Sequence, residues 1–498
     1  MTSAQPGVPA LDRLPSGVAG LDIILGGGFF KSGVYIVQGL PGCGKTIFAN
    51  QMCFGHVATG GSAVYVTLLA ESHARMLQHL RSMRFFDESV MPSKLSYISA
   101  FQDLQSEGLK GLMAVLRREM RARQATILIL DGLVAAAETA STDSELKKFI
   151  HEIQSSAVFH GCTVFLLTSG GDSVRINAEH TMVDGLIQLE DRLFEARSER
   201  AIQVRKFRGS GVLRGKHAFS ISDDGLTVFP RIESLYVDGP PESPIERGLS
   251  TGVRSLDALI GMRGLPQAST TVVVGSTGTG KTSMGLHFLS RCTPAEPGLL
   301  FGFFESAGRL RAKAKSFGMD LQPLEASGAL SILWHPQSEH MIDQLGHRLL
   351  EAMAARGVKR LVIDGLSAFF EAAVYPERVT RFFSCLANEL RRRGVTVLLT
   401  LETRDAVGSV VSLQFGISGF VDNVFFIRYV QDDGIAKRLL TILKMRDSDF
   451  DPGLHGLLID STGISIAGVH VANGDVIPTA SPATPEHGPH TSPNAVRD

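Results

Sequence analysis

Two eight-residue stretches carry the residues most able to do chemistry. Gly39-Leu40-Pro41-Gly42-Cys43-Gly44-Lys45-Thr46 and Gly275-Ser276-Thr277-Gly278-Thr279-Gly280-Lys281-Thr282 share one spacing of glycines ahead of Lys-Thr. Such glycines let the backbone curl so that several N–H groups face phosphate oxygens, and the positive end of the following helix points to the same place. Lys45 and Lys281 can reach β- and γ-phosphates, while Thr46 and Thr282 can place a hydroxyl on Mg²⁺. The candidate nucleotide contacts are therefore Gly42, Cys43, Gly44, Lys45 and Thr46 in the first stretch, and Thr277, Gly278, Thr279, Gly280, Lys281, Thr282 and Ser283 in the second. ATP with Mg²⁺ is the expected ligand.

Further polar residues recur beside both loops. Asp131 and Asp364 each end an apolar run. A carboxylate at the C-terminal tip of a parallel strand sits where ligands bind in such sheets, and it could hold the Mg²⁺ shell. An ordinary helix cap would use Asp there too, but the two phosphate loops favour the metal role. Glu71 and Glu305 follow the next strand of each copy, where a carboxylate can polarise the water attacking a γ-phosphate. Lys206-Phe207-Arg208 and Lys444-Met445-Arg446 follow a late strand. Their alternate cations share one face and could reach a nucleotide, including one held by a neighbouring subunit.

These positions repeat because the chain is duplicated. Asp22 in Gly-Val-Ala-Gly-Leu-Asp returns 235 residues later as Asp257, Lys45 returns 236 later as Lys281, Asp131 returns 233 later as Asp364, and Lys206 returns 238 later as Lys444. Four features in one order at nearly constant spacing mark two domains of about 230 residues. The expected division is an N-terminal tail over 1–8, a first domain over 9–238, a Pro-rich linker over 239–246, a second domain over 247–472 and a disordered tail over 473–498.

Within the first copy, strands are expected at 34–37, 63–68, 126–130 and 163–168, with helices at 47–56, 72–80, 112–123 and 145–158. The second repeats this with strands at 270–274, 299–304, 361–363 and 395–401. Apolar strands alternating with helices imply an α/β fold with a parallel sheet covered on both faces.

Composition narrows the class. Of 498 residues, 44% are hydrophobic and 20% charged, with Lys+Arg 49 against Asp+Glu 50. The near-zero balance offers no bulk attraction for nucleic acid or an anionic membrane, and one Trp and six Tyr make no conspicuous stacking platform. The arginine runs at 117–123 and 391–393 read as helix C-terminal cations that suit the dipole. Five scattered cysteines without CxxC spacing argue against a disulfide framework and for a reducing cytoplasm. No apolar run is long enough to span a membrane.

Together, the duplicated phosphate loops, the Gly-Val-x-x-Leu-Asp openings, the Lys-x-Arg closings and phrases such as Ser316-Phe317-Gly318-Met319-Asp320 resemble the KaiC family over residues 9–470. That resemblance implies two tandem RecA-like P-loop domains per subunit, a homo-hexameric double ring with ATP at subunit interfaces, and slow hydrolysis. It implies Ser/Thr autokinase activity in the second ring of the clock members. It also implies that Phe317 lies beside adenine, that Arg438 contacts the nucleotide, and that each Lys-x-Arg reaches a neighbour's ATP. The sequence departs from the clock members in three places: Leu69-Ala70-Glu71 and Phe303-Phe304-Glu305 each keep one carboxylate of two, and Ser418-Gly419 replaces a Ser-Thr pair. The expectation is a signalling or regulatory ATPase with an unknown protein partner and Ser418 as the one phosphorylation candidate. The alternatives are a DNA-dependent motor on the same fold and a nucleotide-gated scaffold with little turnover.

Overall fold

The computed structural model describes residues 12–68, 73–170, 181–236, 245, 247–336, 340–403, 414–432, 435–468 and 475–476. They form two compact units, one up to Leu235 and one from Tyr236.

The first unit is built on strands β1 (Val34–Gln38), β2 (Ala63–Thr67), β3 (Leu95–Ser99), β4 (Ile127–Asp131), β5 (Thr163–Thr168), β6 (Gly185–Phe194), β7 (Arg197–Phe207), β8 (Lys216–Ser222) and β9 (Gly225–Phe229). Their order in the sheet is β3-β2-β4-β5-β1-β6-β7-β8-β9. The second unit uses β10 (Thr270–Gly275), β11 (Gly298–Gly302), β12 (Leu330–Trp334), β13 (Arg360–Asp364), β14 (Thr396–Glu402), β15 (Asn423–Asp432), β16 (Ile435–Lys444), β17 (His455–Asp460) and β18 (Gly463–Gly468). Its order, β12-β11-β13-β14-β10-β15-β16-β17-β18, repeats the first strand for strand. These are two tandem RecA-like domains.

Each sheet is parallel from its first strand through β6 or β15 and antiparallel beyond. The sheets are thus mostly parallel, as expected, and the antiparallel part is where few strands were placed from the sequence. Its strands β6–β9 and β15–β18 mix polar and apolar residues, because hairpins need no continuous Val/Ile/Leu run. Residues 303–304 lie beyond β11 rather than in it. The tail expected to be disordered falls outside the described residues, except that Asp475–Val476 pair with Gln431 and Val430.

Side-chain alternation explains the layers. Tyr35, Val37, Tyr65, Ile127, Ile129 and Phe165 enter one core cluster, while Val34, Ile36, Val64, Val66, Leu128 and Leu130 enter the cluster on the opposite face. Fully burying each such side chain contributes roughly 1.5–3 kcal/mol. With both faces filled, β1 and β10 are fixed at the sheet centre, and their C-terminal ends present the phosphate loops.

Candidate functional site

Each phosphate loop leaves a central strand and enters a helix, Lys45–Ala58 or Lys281–Leu289, capped by a left-handed glycine: Gly44 at φ 103° and Gly280 at φ 103°. Gly42 and Gly278 are left-handed as well, at φ 83° and 77°. At the loop entrance the constraint is space. A Cβ on Gly39 would lie 2.5 Å from the Leu189 carbonyl oxygen, and one on Gly275 would lie 2.5 Å from that of Ile427. Only glycine permits this approach.

The lysines adopt one pose in both copies. Lys45 Nζ donates to the carbonyls of Gly39 (2.7 Å) and Leu40 (3.0 Å), and Lys281 Nζ to those of Gly275 (2.8 Å) and Ser276 (2.8 Å). Each ammonium is thus held inside the loop's curl. Burial lowers the Lys281 pKa, opposed by the carboxylates of Glu402 and Asp364. Cys43 is buried inside the first loop, and Thr279 at the matching place hydrogen-bonds the Ser276 carbonyl at 2.8 Å. Thr46 and Thr282 follow the lysines in the first helical turn, with Ser283 next and buried.

Asp131 and Asp364 end β4 and β13, each one strand removed from the loop-bearing strand. Different side chains orient them. Tyr65 OH donates to Asp131 Oδ2 at 2.6 Å. In the second domain Thr400 Oγ1 (2.7 Å) and Thr282 Oγ1 (3.2 Å) both donate to Asp364 Oδ1. Burial raises the pKa of both carboxyls, countered at Asp131 by Tyr65 and Lys45 and at Asp364 by Thr400 and Thr282. A buried carboxylate with a hydroxyl beside it and an ammonium nearby fits a cation bound to phosphate oxygens. The loop curl, its inward lysine and this carboxylate fit ATP·Mg²⁺ in both domains.

Glu71 lies outside the described residues. Glu305 is described, and its carboxylate pairs with the Lys313 ammonium. Phe304 beside it is half exposed, with its ring against Gly365. Glu402, at the end of β14, accepts a hydrogen bond from Thr277 Oγ1 in the phosphate loop.

The two Lys-x-Arg segments depend on a feature that alternation alone does not reveal. In β7, Arg205 is an extra residue between the Val204–Ile187 and Lys206–Leu186 pairs. In β16, Leu443 is the extra residue at the equivalent place. Such a bulge re-aims the residue that follows it. Lys206 Nζ then donates to the Thr181 carbonyl at 2.7 Å, and Arg208 to those of Thr181 (3.0 Å) and Met182 (3.2 Å). Lys444 Nζ donates to the carbonyls of Val421 (2.7 Å) and Ser418 (3.0 Å), and Arg446 lies 3.5 Å from Asp422 Oδ1. The cations of each pair therefore do gather on one face. Phe207 between them packs on Tyr35 and Phe30 in its own domain, and Met445 is buried. Ser418 is exposed in the short turn Gln414–Gly419, tied to Lys444 through its carbonyl.

Phe317 caps the helix Ala307–Ser316 and stacks on His287 at 6.3 Å. Arg438 Nε donates to the Gly278 carbonyl at 3.3 Å, and Tyr429 OH donates to the same oxygen at 2.7 Å. Arg438 therefore lies at the second phosphate loop. In the first domain the paired positions are Asp191 and Arg200, joined by an ion pair at 3.0 Å.

Sequence reasoning missed Tyr65, Thr400, Tyr429, Lys313 and Glu402. The available signal was a lone polar atom in an apolar strand for the first two, and nothing periodic for the others. The arginine runs do place Arg121, Arg391 and Arg392 in last helical turns, and several of their members also pair with acids. Arg117 pairs with Glu152 and Arg123 with Glu119, while Arg391 grips both oxygens of Asp422 at 2.8 Å. Asp422 in turn accepts the Thr270 N–H, as Asp184 accepts that of Val34. No helix among the described residues is long and apolar enough to cross a membrane.

Comparison with known proteins agrees with this geometry. The pattern of the KaiC ATPase family matches residues 14–233 and again 249–470. The chain is 28% identical to the circadian clock oscillator protein KaiC of Acaryochloris marina, covering 90% of this chain and 87% of that one. It is 27% identical to KaiC of Parathermosynechococcus lividus over 92% of this chain and 86% of that one, and 24% identical to circadian clock protein KaiC3 of Synechocystis over 92% of each. With both domains matched along nearly their full length, the chain belongs to the KaiC ATPase family.

Proposed function

We propose that the protein is a ring-forming regulatory ATPase of the cytoplasm, hexameric when ATP is bound, with one nucleotide site per domain. The observation that carries this reading is the duplication of the inward-held lysine inside a curled glycine loop, at Lys45 and Lys281. Gly42, Cys43, Gly44, Lys45 and Thr46 would hold the phosphates in the first domain, and Thr277 through Ser283 in the second. Thr46 with Asp131 and Thr282 with Asp364 would hold Mg²⁺, which supplies charge neutralisation at the β- and γ-oxygens. Lys206 and Arg208, and Lys444 and Arg446, would complete the site of an adjacent subunit. Glu71 and Glu305 would accept the proton of the attacking water as its oxygen bonds to the γ-phosphorus and the bond to the leaving ADP breaks.

Phosphate release by the purified chain tests this reading. Lys45→Ala and Lys281→Ala are each expected to remove one site's share, and the Glu71→Gln/Glu305→Gln pair to lower turnover ~10²-fold or more with ATP binding retained. Undiminished release from the double Gln variant would mean that other groups direct the water.

The second domain supports at most weak kinase chemistry. Ser418 is exposed beside Lys444, but Gly419 offers no second hydroxyl, and Phe304 cannot accept a proton. Incubation with ATP·Mg²⁺ followed by phosphopeptide mass spectrometry is expected to find either no phosphate or a single slow modification at Ser418. Stoichiometric phosphate on two hydroxyls in the 409–418 segment, abolished by Lys281→Ala, would contradict this.

A further inference from the structure

We infer that Lys313 is a positioning residue that restrains hydrolysis in the second domain by holding Glu305 in an ion pair. The inference rests on the reading of Glu305 as the proton acceptor. Glu305 stands just before the helix Ala307–Ser316, and Lys313 lies in its last turn. Side chains on a helix lean toward its N-terminus, so the lysine stem can run back along the helix to the carboxylate. A lysine that merely suited the helix dipole would extend into water. This one makes a direct contact with Glu305, and the two side chains are only 33% and 26% exposed.

The ammonium is paired with the carboxylate proposed to take the proton. A carboxylate occupied by an ammonium is a poorer acceptor for a water proton, and turning toward water means breaking that pair. Phe304 supplies no alternative acceptor.

Eight residues after Glu71, the position corresponding to Lys313 holds His79, so the lysine itself belongs to the second copy. It would therefore slow turnover in the second domain.

The test uses the full chain with Glu71→Gln, which mutes the first site while leaving its phosphate loop intact. Phosphate release is measured alongside binding of a fluorescent ATP analogue. Lys313→Met is expected to raise turnover roughly three- to tenfold at unchanged ATP affinity. Lys313→Arg should keep the low rate, because it restores the pair, and adding Glu305→Gln to Lys313→Met should cancel the gain. Lys313→Gln serves as a second neutral variant should Met impair folding. Unchanged or lower turnover in both neutral variants would overturn the inference, the lower rate marking Lys313 as a phosphate contact. If the Glu71→Gln/Glu305→Gln protein still hydrolyses ATP, the acceptor is another group, and both this inference and the proton-acceptor reading fall. If that protein is silent and the neutral variants show no gain, only the inference falls.

Discussion

Asp364 illustrates how a single residue trades stability for ligand. It is 6% exposed, and among the described residues its carboxylate has the hydroxyls of Thr400 and Thr282 as direct partners. Its raised pKa means that the folded domain holds the proton more tightly than the unfolded chain, so its contribution is favourable at low pH and is lost as pH rises through the folded-state value. Asp364→Asn keeps an acceptor for both hydroxyls and removes the charge. Without ligand the variant is expected to melt about 2–4 °C higher at pH 8, equivalent to about 1 kcal/mol, and to lose most of the rise in melting temperature that ATP·Mg²⁺ gives the parent. Scanning calorimetry with and without ligand checks both halves; a lower ligand-free melting temperature with the ligand effect intact would contradict the metal-site assignment. The aspartate itself was legible in the sequence, as an acid closing an apolar run. Its orienting groups were not, because Tyr65 and Thr400 come from other strands and differ between the domains.

At the level of elements, local pattern sufficed where hydrophobic runs were continuous. The strands expected from apolar runs fell within a few residues of their places, whereas the parallel strands β3, β6 and β12 had not been expected, and the helix expected at 112–123 begins at Phe101. The antiparallel hairpins lacked such runs. Bulges at Arg205 and Leu443 cannot be read from side-chain alternation, since they are breaks in it. The strand-to-loop junction is the most tightly specified element. A methyl group on Gly275 would meet the Ile427 backbone at 2.5 Å, and backbone yields less readily than a flexible side-chain tip. Gly275→Ala is therefore expected to destabilise the second domain by about 1–3 kcal/mol and to weaken nucleotide binding there, with the first domain unaffected. Denaturant titration together with site-specific binding measures this, and a neutral result would show that the strand edge can give way.

Across the whole molecule, one plan is used twice and then varied: Tyr65 against Thr400 at the strand-end aspartates, Asp191 against Tyr429 in the paired late strands, His79 against Lys313 eight residues after the matched glutamates. The duplication was plain from the sequence because four motifs kept their order and spacing. The divergence was not, because each variation acts through a side-chain contact that the order and spacing of motifs do not report. Lys206, Arg208 and Lys444 lie on carbonyls of their own domains and Arg446 lies beside the Asp422 carboxylate, from which they would reach a nucleotide on another subunit. ATP should then favour assembly by mass action, since it binds the assembled state best. Light scattering coupled to size-exclusion chromatography, with and without saturating ATP·Mg²⁺, tests this most directly. The account predicts a species of six 53.6 kDa chains, roughly 320 kDa, that forms with ATP and is diminished by Lys45→Ala, by Lys281→Ala and by neutralising Arg208 with Arg446. A chain that remains monomeric at saturating ATP·Mg²⁺ would contradict it.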